Sequence, residues 1–128
     1  MPRDWGELFF SSTGRMGRRA FLVGAATLIV ALALYQGLFS GWPRLLTAWL
    51  VYTALFVSAV CVLAKRLHDV GRSGWWSAPL LLLFIWAWPW PDGWLDHLAA
   101  LIVVVAALSL ASLPGEKAFN RYGPPATV

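Results

Sequence analysis

The stretch Lys65-Arg66-Leu67-His68-Asp69-Val70-Gly71-Arg72-Ser73-Gly74-Trp75-Trp76 sets three basic residues, a carboxylate, an imidazole and two glycines between two long apolar runs. The chemistry open to such a stretch is recognition of an anion. Lys65, Arg66 and His68 fall at the end of one predicted helix, where positive charge complements the helix dipole. Ser73 and Gly74 fall at the start of the next, where backbone N–H groups lack intrahelical partners and attract negative charge. Gly71 and Gly74 permit a sharp turn or close approach to a ligand. Arg72 adds a planar fork suited to phosphate or carboxylate.

Two further polar clusters belong with this one: Gly14-Arg15 with Arg18 and Arg19, and the tail around Asn120 and Tyr122. The expected anion site is Arg15, Arg19, Arg66, His68, Asp69, Arg72, Ser73, Gly74, Asn120 and Tyr122. A purely architectural use competes with it. Asp69 can neutralise Arg66 or Arg15, with Lys65 four residues away on the same helix, and Trp75-Trp76 suits an interfacial belt without any ligand.

His68-Asp69 invites comparison with a general base oriented by a carboxylate. Adjacent helical residues, however, point about 100° apart, and no nucleophile with a base partner accompanies them. No catalytic residue, metal ligand or cofactor is therefore assigned, and the sequence leans away from an enzyme. Cys61 lies alone in an apolar run and reads as a small buried hydrophobe.

The elements that carry these residues are built for lipid. The chain has 128 residues, 59% hydrophobic and 12% charged, with nine Trp. A soluble domain of this length cannot bury so much apolar surface. Net charge is +4, but the basic residues flank apolar runs, which points to anionic membrane lipid and not to nucleic acid.

Four spans are expected at 21–39, 45–64, 75–90 and 97–113, within one integral-membrane domain covering 1–128. The first has 19 uncharged residues, roughly 28 Å of helix, enough to cross the hydrocarbon core. It is too long, and lacks the exit site, for a signal peptide. Trp5, Leu8 and Phe9 give a short N-terminal helix one apolar edge along the membrane surface. Ser40 to Pro43 and Asp92-Gly93 supply turns.

Four spans place both termini and the central stretch on one side. Nine of the ten Lys and Arg residues lie there, and only Arg44 lies opposite, with Asp92 and Asp96. The positive-inside rule makes the basic side cytoplasmic. The spans contain no Asp, Glu, Lys or Arg, which counts against ion-coupled transport. Ala20 with Gly24, and Ala33 with Gly37, set small residues one turn apart, suited to close helix packing within or between chains.

Gly14-Arg15-x-x-x-Arg19-x-Phe21, the stretch from Lys65 to Trp76, and Gly115-x-x-x-x-Asn120-Arg121-Tyr122-Gly123-Pro124 occur in order, separated by hydrophobic runs. Over nearly its whole length the chain resembles the small bacterial inner-membrane family known as domain of unknown function 805. Members often read Arg-Arg before Leu-His-Asp, where this chain has Lys65-Arg66, and often carry an aromatic where it has Leu22. The resemblance implies a multi-pass inner-membrane protein and supplies no activity.

The expectation is an all-α transmembrane four-helix bundle, both termini inside, that binds an anionic lipid headgroup or small phosphorylated ligand at its cytoplasmic face. The alternatives are an oligomeric channel or transporter subunit, an interfacial enzyme on lipid phosphate, and motifs that only lock the bundle. The expected partners are anionic membrane lipids and further copies of the chain.

Overall fold

Long uncharged runs form helix wherever capping and turn residues allow, because lipid offers backbone groups no other partner. The computed structural model describes residues 9–11, 14–88 and 92–124. It contains α1 (Arg18–Leu38), α2 (Gly41–Asp69), a 3-10 turn (Gly74–Trp76) leading into α3 (Ser77–Ala87), and α4 (Trp94–Ser112). The described residues contain no strand, only an isolated bridge between Asn120 and Gly123. Of the expected interfacial helix only Phe9 and Phe10 are described, both helical; Trp5 and Leu8 lie outside the described residues.

α1, α2 and α4 are long and apolar enough to cross a membrane. Their outer faces carry Leu22, Leu34, Leu45, Trp49, Leu101 and Leu108, between 51% and 72% exposed. Apolar surface on this scale suits lipid and not water. Gly74–Ala87 is apolar but shorter, about 21 Å against a hydrocarbon core of about 30 Å.

α1 packs on α2 and α4, and α3 packs on the same two neighbours. The tightest packing is at one end, where Met16, Ala20, Phe21, Val62, Leu67 and Leu110 form the buried core. The start of α1, the end of α2 and the end of α4 therefore meet there.

Helix boundaries differ from expectation in informative places. α2 continues past the uncharged 45–64 run to Asp69, which puts Lys65, Arg66 and His68 at a helix end as expected, and Lys65, Arg66 and Asp69 are buried at the junction of the three ends. A charge that finds a partner on a neighbouring segment does not stop a helix. α3 ends at Ala87, with Trp88 as its C-cap; residues 89 and 90, the end of the expected span, lie outside the described residues. Pro79 lies in the first turn, where a missing N–H costs little. α4 starts at Trp94, three residues before His97, because the Asp96 carboxylate accepts from the backbone N–H groups of Asp92 and Gly93 at 3.3 and 3.4 Å and caps that end.

Candidate functional site

The segment before α1 is tied to the end of α2: Met16 N–H donates to Lys65 O at 3.1 Å. Gly14, at φ 92°, makes the approach turn. This brings Arg15 alongside Asp69, with Arg15 Nε donating to Asp69 Oδ1 at 3.0 Å. On the other side Arg66 Nη1 donates to Asp69 Oδ2 at 2.6 Å, one helical turn away. The carboxylate bridges two guanidinium groups, and all three side chains are at most 5% exposed.

Two cations against one anion leave excess positive charge, which α4 and the segment after it offset. A helix C-terminus has unsatisfied carbonyls with partial negative charge. Arg66 Nε donates to Leu110 O at 2.6 Å, Nη2 to Leu113 O at 2.5 Å, and Nη1 also to Met16 O at 3.1 Å. Arg18 Nη1 donates to Ser112 O at 3.2 Å. Arg15 continues along the chain: Nη1 donates to Ala118 O and Gly123 O, and Nη2 to Asp69 O and Glu116 O. Arg15 thus uses all five of its N–H donors inside the protein. Glu116 N–H closes the junction by donating to Asp69 O at 2.7 Å.

His68 is held separately from Asp69. Its Nδ1 lies 2.9 Å from Gly14 O, a contact that requires the proton on Nδ1. The ring stacks on Tyr122 with centroids 3.8 Å apart and planes 6° from parallel. Its Nε2 faces Gly74, where a Cβ would lie 3.1 Å away. Arg121 covers Tyr122, its guanidinium carbon 4.8 Å from the ring centroid. Asn120 Nδ2 donates to His68 O at 3.1 Å and Glu116 Oε1 at 3.3 Å, while its Oδ1 accepts from Tyr122 N–H. Ser73 Oγ accepts from Trp75 N–H at 3.4 Å and so caps the turn into α3.

Of the ten expected site residues, Arg15, Arg66, His68, Asp69, Asn120 and Tyr122 meet in one hydrogen-bonded cluster, and Gly74 packs against it. Arg19 and Arg72 are exposed, outside it. The cluster also depends on groups the sequence did not single out: Glu116 and the carbonyls of Met16, Leu110 and Leu113. Backbone carbonyls carry no residue signature, so only the proximity of Gly115 and Asn120 marked that region. No three His, Cys, Asp or Glu side chains among the described residues are grouped to hold a metal ion.

These features define a helical membrane protein whose sequence motifs interlock at one end. The chain belongs to the family described as Protein of unknown function (DUF805), whose model matches residues 9–124. It is 32% identical over 127 residues to the Uncharacterized protein YiiR of Escherichia coli strain K12, covering 91% of this chain and 86% of the relative. The Escherichia coli O157:H7 protein of the same name gives the same figures. No solved structure matches.

Proposed function

We propose that this is a multi-pass bacterial inner-membrane protein, a four-helix bundle with both termini cytoplasmic, whose motif-bearing end engages the anionic phosphate of lipid headgroups or small ligands. One observation carries the reading: exposed cations ring the interlocked cluster. Arg18, Arg19, Arg72, Lys117 and Arg121 are all exposed at this end. Trp75, Trp76 and Phe119 stand among them, 85%, 57% and 75% exposed, as amphipathic and aromatic residues do at headgroup depth. Arg15, Arg66 and Asp69 serve this surface indirectly. They fix the three segments that display it, and their own donors are turned inward.

Cations near an anionic membrane surface contribute about 1 kcal/mol each. The test is lipid enrichment around the purified protein in nanodiscs mixing phosphatidylglycerol and phosphatidylcholine, with soluble phosphate esters as a parallel arm. The combined Arg19→Gln and Arg72→Gln variant should lose phosphatidylglycerol enrichment while keeping wild-type thermal stability. Unchanged enrichment and unchanged phosphate-ester binding in that folded variant would overturn the reading.

A further inference from the structure

The end remote from the motifs is packed differently. Between the helices lies a cavity of about 720 Å³, within the about 300–1,000 Å³ range of small-molecule sites. Its walls run from Phe21, Val62 and Leu110 at the core to Gln36, Tyr52 and Trp88 at the other end. Phe21 to Gln36 is roughly 22 Å along α1, more than half the about 30 Å hydrocarbon core. Ile29, Phe56 and Ile85 line the cavity and are also 42–56% exposed, so it opens sideways between the helices. α3 forms one wall through Leu80, Leu81 and Phe84.

The far end of the cavity is polar and directional. Trp88 Nε1 donates to Gln36 Oε1 at 2.8 Å. Gln36 Nε2 and Arg44 Nη2 both donate to the Tyr52 hydroxyl, at 3.4 and 3.2 Å. Among the described residues no acceptor takes the hydroxyl's own hydrogen. Among the described residues Arg44 has no carboxylate partner either: the ion pairs are Arg15–Asp69 and Arg66–Asp69, both at the opposite end. Asp96, at the same end, is occupied in capping α4. Tyr52 thus offers a hydroxyl donor in the wall at the far end of a long apolar slot, with the unneutralised Arg44 guanidinium 3.2 Å from that hydroxyl.

We propose that this cavity binds one long-chain amphiphile with an anionic head, its chain inserted between the helices and its head on Arg44 and Tyr52. The apolar wall provides no partner for a polar ligand. The polar end accounts for an anion where a plain hydrocarbon would not.

Photoactivatable palmitate, phosphatidylglycerol and phosphatidylcholine, incorporated separately into nanodiscs holding the full chain, test the site by mapping the labelled residues. Labelling should concentrate on Leu55, Ala59, Leu80 and Ala106, and fall severalfold in Ala59→Phe and in Ala106→Phe. These variants lie on different helices, so failure of one to fold leaves the other informative. Arg44→Gln should erase the preference for the anionic probes over phosphatidylcholine. Labelling by palmitate alone assigns a free carboxylate amphiphile, and labelling by phosphatidylglycerol assigns a phospholipid chain. Labelling spread equally over outward-facing Leu34, Leu101 and Leu108, crosslinks between two copies of the chain at Ala59, or a preference untouched by Arg44→Gln would each overturn the proposal.

Discussion

The backbone of Gly115 lies directly against the carboxylate of Asp69: a Cβ at Gly115 would fall 2.0 Å from Oδ2 and 2.8 Å from Oδ1. No larger residue fits unless Asp69 moves, and Asp69 is the acceptor that Arg15 and Arg66 share. Gly115→Ala should therefore cost more than an ordinary loop substitution, on the order of 3 kcal/mol, by displacing a partner from buried charges. Denaturation with SDS in mixed micelles measures it. A midpoint equal to wild type would mean that the clamp yields at no cost.

Breaking the bridge chemically should show coupling. Asp69→Asn removes the charge that both arginines face, and loss of one partner from a buried pair costs about 3–5 kcal/mol. With Arg15→Met as the second arm, a double-mutant cycle should give at least about 1 kcal/mol of interaction energy. Simple additivity of the two losses would contradict the geometry.

The stack of His68 on Tyr122 separates ring from hydroxyl. Tyr122→Phe preserves the ring and should leave thermal stability within about 0.5 kcal/mol of wild type. Tyr122→Ala removes a stacked pair, costing about 1 kcal/mol beyond its lost burial. It also uncovers the edge of the Gly14 contact, so proteolysis near Gly14 should quicken in that variant alone.

At the opposite end, Trp88→Phe deletes the donor to Gln36 and leaves an unpaired amide oxygen in apolar surroundings. A loss of about 1 kcal/mol is expected, recovered in part by adding Gln36→Leu, which removes the stranded acceptor. A double variant less stable than Trp88→Phe alone would mean that the Gln36 Nε2 bond to the Tyr52 hydroxyl, at 3.4 Å, outweighs the stranded acceptor.

Much of this architecture was legible because lipid is an undemanding solvent to read for. Uncharged runs of sufficient length announced α1, α2 and α4, and Ser73 announced the start of the turn before α3. The placement of Lys65, Arg66 and His68 at a helix end agrees with α2 continuing to Asp69, and the pairing of Asp69 with Arg66 and Arg15 was one of the two uses open to it. The gathering of Arg15, Asp69 and Asn120 was foreseeable from helix connectivity. The use made of them was not: the carbonyls that absorb the guanidinium donors belong to Met16, Leu110, Leu113 and Glu116, and any residue type supplies a carbonyl. The cavity was equally hidden, because the apolar side chains that line it are of the same types as those that face lipid.

The Arg66 network also sets an order of events in biogenesis. Arg66 enters with the second long helix, but two of its acceptors, Leu110 O and Leu113 O, lie at the end of α4. Until that helix is in place the guanidinium lacks half of its permanent partners and must keep company with water or phosphate at the membrane surface. Emergence of the last helix is then the step that draws the cation inward and fastens the earlier segments. A chain arrested before Trp94 should remain loosely assembled and open to degradation, and a full-length chain should become resistant in a single late transition.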